Sequence, residues 1–170
     1  MKNKFYQHSL PQPYHLSVGA VLFNNNYEIC VHHFQLNKVP EHLRFLSDDL
    51  PDMWHLMRES LENGETVQEA VMRGCKEEFG ATGKLEKYLG GKIDEIVTPT
   101  KTFQKCTLYH SVRLAELGER TATDAEDKTI MEWYSADDLL ELLNNQCAKT
   151  KRPELDERII ITRFMEAYGI

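Results

Sequence analysis

Apolar, β-forming residues gather in two early stretches of the chain, His15 to Phe23, around Val18, Val21 and Phe23, and Tyr27 to His33. Both read as strands, whose successive side chains point to opposite faces. Asn24, Asn25 and Asn26 lie between the two stretches. Asparagine tolerates the positive φ angles of a tight turn, so a β-hairpin is predicted. Residues 1–14, with Pro11 and Pro13 and no period, read as an irregular lead-in. Gln35 to Met53 is polar and bracketed by Pro40 and Pro51, a long connection with room for a short helical turn, and Trp54 to Leu56 follows as a short strand.

From Val67 the period changes. Val67, Val71 and Cys75 recur every four residues with Ala70 between them, the stripe of an amphipathic helix. Thr66 and Glu69 form a capping box at its start, and Gly80 supplies the left-handed residue that commonly follows a helix end. Thr82 to Val97 alternates loosely through Leu85, Tyr88, Leu89, Ile93 and Ile96 and is interrupted by Gly90 and Gly91, which fits two strands or one bent strand. Phe103 to Leu114 alternates strictly. Cys106, Leu108, His110, Val112 and Leu114 lie on one side and Lys105, Thr107, Tyr109, Ser111 and Arg113 on the other, as in a strand in the middle of a sheet. A polar loop over Gly118 to Lys128 leads to a short strand over Ile130 to Tyr134. Ser135 then caps a helix through Leu139, Leu140, Leu142 and Leu143, and a last helix from Asp156 to Tyr168 packs by Ile160, Phe164, Ala167 and Tyr168. Strands interleaved with helices define an α/β class, expected here as one domain over residues 1–170 with no internal repeat.

The net charge of -7 argues against a general nucleic-acid binder, because phosphate backbones are gripped by clustered Lys and Arg. A small-molecule nucleotide is still allowed, since a divalent cation can bridge an acidic protein to an acidic substrate. No apolar run is long enough to span a bilayer, and the first residues show no apolar signal segment. The expectation is therefore a cytoplasmic protein without a membrane partner, compatible with a homodimer. Cys30, Cys75, Cys106 and Cys147 are scattered without a Cys-x-x-Cys pair, so neither a zinc site nor a disulfide framework is indicated.

The capped helix also carries candidate chemistry. At 100° per residue, positions 74, 77 and 78 fall within an arc of about 100° and share one face. Glu77 and Glu78 repel each other there unless a cation or a basic group intervenes, and Arg73 can pair with Glu77 and Glu69 at four-residue spacing. Hard oxygen ligands with room for water suit Mg²⁺ or Mn²⁺. A plain solvated helix face is the alternative. His32 and His33 are adjacent on a strand and point to opposite faces, so they do not share an ion. His110, on an apolar side, reads as a hydrogen-bonded core histidine and not a base.

Glu65, seven residues, Arg73, then Cys75, Glu77, Glu78, Gly80 and Ala81 resemble the signature of the Nudix hydrolase family. That signature is Gly, five residues, Glu, seven residues, then Arg-Glu-(apolar)-x-Glu-Glu-x-Gly-(apolar). Two positions depart from it: Glu59 stands where the pattern opens with Gly, and Gly74 stands where Glu follows the Arg. The resemblance implies an α/β/α sandwich around a mixed sheet. It also implies hydrolysis of a pyrophosphate bond in a nucleoside diphosphate linked to another group, with Mg²⁺ or Mn²⁺ as cofactor. In those terms Glu77 and Glu78 hold the cation and carry catalysis, Arg73 orients them, and Glu65 braces the loop. Family members often bring a further Glu to the metal from upstream of the second helix. Glu126 and Glu132 are the candidates, with Glu126 preferred because it lies in the loop.

Arg58 and Glu59 occupy positions where the family usually has a glycine pair. One reading is compensation, in which the Glu59 carboxylate becomes a metal ligand in place of the one missing at Gly74, and Arg58 meets a substrate phosphate. The other is decay to a catalytically weak or inactive nucleotide-binding or protein-interaction module. If the domain still binds substrate, Gly74→Glu is expected to add a carboxylate beside Glu77 and Glu78 and to speed metal-dependent hydrolysis.

Overall fold

The computed structural model describes residues 14–35, 37–38, 50–98, 102–121, 129–150 and 152–170. Strands β1 (Tyr14–Phe23) and β2 (Ile29–Gln35) form the expected hairpin. Its turn is held by the Asn24 side chain, whose Oδ1 accepts from the Asn26 and Glu28 amides at 2.9 and 3.1 Å. The positive φ falls on Tyr27, at 61°, and not on the asparagines. A bent segment then supplies β3 (Asp52–His55), which pairs with β2, and β4 (Met57–Ser60), which pairs with β1. Sequence periodicity marks the first of these and misses the second.

Helix α1 (Val67–Phe79) begins with the predicted capping box. The Thr66 hydroxyl accepts from the Glu69 amide at 3.2 Å, and the Glu69 carboxylate accepts from the Thr66 amide at 2.8 Å. Gly80 ends the helix at φ 66°, where a side chain would collide with the Gly118 carbonyl, 2.4 Å from the place of its Cβ. The loosely alternating stretch is one long strand, β5 (Ala81–Val97), with register shifts at Thr82/Gly83, Leu85/Lys87 and Tyr88/Gly90. It pairs with β6 (Thr102–Leu117), and β6 runs parallel to β1. Strand β7 (Ile130–Tyr134) pairs with β2. Helix α2 (Ala136–Lys149), capped by Ser135, a 3₁₀ turn (Pro153–Leu155) and helix α3 (Arg158–Tyr168) complete the order.

The strand order is β3-β2-β1-β6-β5, with β4 on β1 and β7 on β2. Alternation along β1 divides the core between two faces. Val18, Ala20 and Leu22, with Cys30 and Met57, pack on Ala70, Val71, Cys75 and Phe79 of α1. Val21 and Phe23, with Ile29 and Val31, pack on Leu139 and Leu143 of α2 and on Ile160 and Phe164 of α3. Along β6 the burial runs opposite to simple hydropathy. Thr107, Tyr109 and Ser111 on the polar side are buried, whereas His110 on the other side is half-buried and hydrogen-bonded to the Leu108 carbonyl at 3.3 Å. The polar side faces α3, and hydroxyl pairs satisfy it: Ser17 with Thr107 at 2.7 Å and Ser111 with Tyr168 at 2.8 Å. Among the described residues no helix is long and apolar enough to cross a membrane.

Candidate functional site

Arg73 is the hub of the carboxylates predicted to matter. Its guanidinium makes two hydrogen bonds to Glu65, from Nε at 2.8 Å and Nη2 at 3.0 Å, and Nη2 also donates to the Ser60 carbonyl at 2.9 Å. A forked pair of this kind is among the stronger ion contacts and fixes orientation as well as distance. Glu65 in turn accepts from the Glu62 amide at 3.1 Å, which closes the loop before α1. The bonds from Arg73 hold the Glu65 pKa below the ordinary carboxylate range and raise that of Arg73 itself. The remaining nitrogen, Nη1, lies 3.3 Å from Glu77 Oε2 and 3.3 Å from Glu59 Oε2. One cation therefore gathers carboxylates from β4, the loop and α1.

Glu77 and Glu78 differ in setting. The Glu77 side chain is 43% exposed, whereas that of Glu78 is 7% exposed and lies against β2. There Glu78 Oε2 meets His32 Nε2 at 2.7 Å, while His32 Nδ1 meets the Thr129 hydroxyl at 2.7 Å. The His32 ring stacks on Phe79 with centroids 4.3 Å apart. Burial, followed by the nearby charges of Arg120 and Arg58, pushes the His32 pKa down to about 3. An ionised Glu78 can only accept, so this contact is made by a proton on Nε2. As the alternation requires, His33 points to the other face. Its two nitrogens contact Glu132 at 3.0 Å and Asp52 at 2.8 Å, and its ring stacks on Trp54.

Gly74 faces β4 at close range. A Cβ built on it would stand 2.7 Å from Met57 Sδ and 2.9 Å from the Glu59 Cβ. This corrects the expectation that Gly74→Glu simply adds a ligand: the place of the side chain is already taken by the strand. Glu59 and Gly74, the two departures from the signature, are neighbours in space.

Arg58 points away from α1. Its Nε lies 3.6 Å from Glu157 Oε1 and its Nη1 donates to the Glu154 carbonyl at 3.2 Å, so the guanidinium is held inside the α3 face. Burial works against its charge, but Glu157, with Tyr109, Asp94 and Glu78 beyond it, keeps the pKa above the usual value. Glu132 is engaged by Trp54 Nε1 at 2.8 Å and the Tyr134 hydroxyl at 2.5 Å, in addition to His33. Burial opposes its charge, yet those hydrogen bonds hold its pKa below the usual range. Its side chain lies on the face opposite α1. Glu126 lies outside the described residues.

Several participants carry no local signal. His32 reaches Glu78 across 46 positions of sequence. Lys105, on β6, has its pKa lowered to about 8 by burial first and then by Arg58, against the pull of Glu157, Glu78 and Glu59. His55 is buried and donates from Nδ1 to the Leu56 carbonyl at 2.6 Å, with burial, Arg58 and His32 holding its pKa well below normal. Pairing of β2 with β3 sets His32 opposite His55, and β2 meets α1 through His32 and Glu78.

A family model for the NUDIX domain matches residues 13–155. The chain belongs to the NUDIX domain family. No curated protein sequence matches it. Solved structures with the same fold include a MutT protein from Methanosarcina mazei Go1, at 19% identity and a TM-score of 0.60, with 95% of this chain and 100% of that one covered. A NUDIX hydrolase from Nitrosomonas europaea is 16% identical, with a TM-score of 0.61 and coverage of 90% and 89%. The E. coli ORF135 protein is 15% identical, with a TM-score of 0.58 and coverage of 92% and 91%. At these identities the likeness is one of fold: the NUDIX α/β/α sandwich around a mixed sheet, as the signature implies.

The donors at the α1 end suit a hard divalent cation. Among the described residues no three His, Cys, Asp or Glu side chains converge closely enough to cage an ion. Mg²⁺ commonly takes only one or two carboxylates, with waters and substrate phosphates completing the shell. Carboxylates from two adjoining elements meet that lesser requirement.

Proposed function

We propose that this NUDIX protein hydrolyses a pyrophosphate bond in a nucleoside diphosphate derivative, with Mg²⁺ or Mn²⁺ held by one or two carboxylates drawn from Glu77, Glu78 and Glu59 and with waters and substrate phosphates completing the shell. The observation that carries the reading is the exchange of Glu59 and Gly74. The family pattern has a small residue on the strand and a carboxylate on the helix; here the carboxylate is on the strand, the small residue is on the helix, and a Cβ at 74 would be 2.9 Å from that of Glu59. The two departures thus amount to one relocation of a carboxylate within a single contact. A bound divalent cation supplies charge neutralisation at the phosphates and an acidified water. Arg73 keeps Glu59 and Glu77 apart yet near each other, Glu65 anchors Arg73, and the buried Glu78 is fixed from β2.

A NUDIX-fold binding module without turnover is the competing reading. It is favoured by the carboxylates already having basic or donor partners, Arg73 for Glu59 and Glu77, and His32 for Glu78. A panel of nucleoside diphosphate derivatives assayed for phosphate or nucleotide release with Mg²⁺ or Mn²⁺ separates the two, with Glu78→Gln as control. Turnover by the wild type that is absent in the control is expected. Ligands that bind only the folded state raise its melting temperature by mass action, so millimolar Mn²⁺ should stabilise the wild type more than Glu78→Gln or Glu59→Gln. An equal shift in Glu59→Gln and wild type would remove Glu59 from the ligand set.

A further inference from the structure

Glu78 is the least exposed of the carboxylates in the signature helix, and its contacts on β2 form a chain of donors with one direction. Arg120 donates from Nη1 to the Thr129 carbonyl at 2.8 Å and from Nη2 to the Thr129 hydroxyl at 2.9 Å. With those contacts made, the Thr129 hydroxyl proton is available to His32 Nδ1 at 2.7 Å, and His32 Nε2–H is directed to Glu78 Oε2 at 2.7 Å. Each group donates to the next, and the last acceptor is the carboxylate. The ring has little freedom to leave this arrangement, being fully buried, stacked on Phe79 and packed near His55, with centroids 5.7 Å apart.

We infer that His32 is a positioning residue for Glu78: through its Nε2–H, with its tautomer set by Thr129 and Arg120, it holds one Glu78 oxygen and aims the carboxylate toward the cation. The inference rests on the hydrolase reading above and adds to it a residue outside the signature. The physical reasoning parallels that for the outer partners of metal ligands. A ligand fixed by a second hydrogen bond loses less freedom on binding, and disturbing such partners typically lowers metal affinity about 10- to 100-fold. A buried carboxylate stripped of its donor is also poorly solvated and adopts whatever rotamer finds one.

Three measurements decide the matter. The ¹⁵N resonances of the His32 imidazole, recorded on the unmodified protein, should show hydrogen on Nε2 and none on Nδ1, and the reverse tautomer would overturn the inference. This readout depends neither on a variant folding nor on metal. Second, Mn²⁺ titrations followed by electron paramagnetic resonance should give His32→Phe, which keeps a ring to stack on Phe79, an affinity at least about tenfold below wild type. Third, His32→Gln, whose amide can donate to Glu78, should recover most of that loss. Equal affinity in wild type and His32→Phe would overturn the positioning role alone, and a Gln variant binding no tighter than Phe would assign the loss to packing and overturn it too. Absence of Mn²⁺ binding by the unmodified protein would instead bring down the cation reading together with this one.

Discussion

Gly74→Glu is expected to destabilise the protein in chelator by about 2 kcal/mol, with Glu59→Gly in the same chain recovering at least half of the loss. The estimate balances two opposed effects. Replacing a helical glycine by a good helix former favours the variant by up to about 1 kcal/mol. Against that, over-filling a close-packed contact typically destabilises by about 1–3 kcal/mol, and here the new Cβ meets Met57 Sδ at 2.7 Å and the Glu59 Cβ at 2.9 Å. The Met57 thioether is the flexible end of a side chain, but it is fully buried and has little space to move into. The Cβ of Glu59 is fixed by strand β4 and cannot yield without the backbone. A further carboxylate beside Glu59, Glu77 and Glu78 adds repulsion. A four-protein cycle by urea unfolding would measure the coupling between positions 59 and 74, for which neighbours in contact commonly show about 0.5–3 kcal/mol. Additive effects would mean that the positions do not share space, and the exchange would lose its meaning. If Mn²⁺ is held in the proposed way, the double variant should bind it with near wild-type affinity, since the carboxylate has only moved from β4 to α1.

This coupling illustrates where sequence reading stops. The signals of α1 are local: Thr66 and Glu69 three apart, Gly80 just beyond the last turn, Val71 and Cys75 one turn apart on the buried stripe. All are found where expected. The opposed directions of His32 and His33 also follow from strand geometry alone, and each has partners on its own face. What periodicity cannot supply is the partner. Nothing near residue 74 in sequence says that Met57 and Glu59 lie against it, so compensation by Glu59 and loss of the carboxylate stay open alternatives until the β4–α1 contact is known. Strand β6 shows the same limit in another form. Its Thr107 and Ser111 look like a solvent face, but both are buried, and hydroxyl pairing with Ser17 and Tyr168 makes that burial tolerable. Arg58 likewise reads as a free cation for a phosphate, because the Glu157 that engages it lies 99 positions away, beyond two helices' worth of chain.

Glu157→Ala is expected to be the most damaging single substitution outside the apolar core, lowering unfolding free energy by about 3–5 kcal/mol, the usual result of removing one partner from a buried ion pair. Glu157 is fully buried at the start of α3 and does not use its side chain to cap that helix. It accepts instead from the Tyr109 hydroxyl at 2.6 Å and the Leu56 amide at 2.7 Å, and faces Arg58 Nε at 3.6 Å. One carboxylate therefore ties α3 to β6, to the bend between β3 and β4, and to β4 itself. Truncation leaves a buried guanidinium without its nearest carboxylate, held by the Glu154 carbonyl, together with an orphaned backbone amide and a phenol that has lost its acceptor. Glu157→Gln keeps an acceptor for Leu56 and Tyr109 and loses only the charge, so its loss should be smaller. Combining it with Arg58→Met, which removes the stranded charge, should recover stability relative to Glu157→Ala, because apolar replacement of a whole buried pair is often neutral or better. Equilibrium urea unfolding of the four proteins measures this, and a Glu157→Ala loss below about 1 kcal/mol would return the residue to a peripheral role. The consequence extends to the site. Leu56 and Arg58 flank Met57 in the segment that ends in Glu59, so freeing them from Glu157 loosens the strand that presents the relocated carboxylate, and Mn²⁺ affinity should fall along with stability.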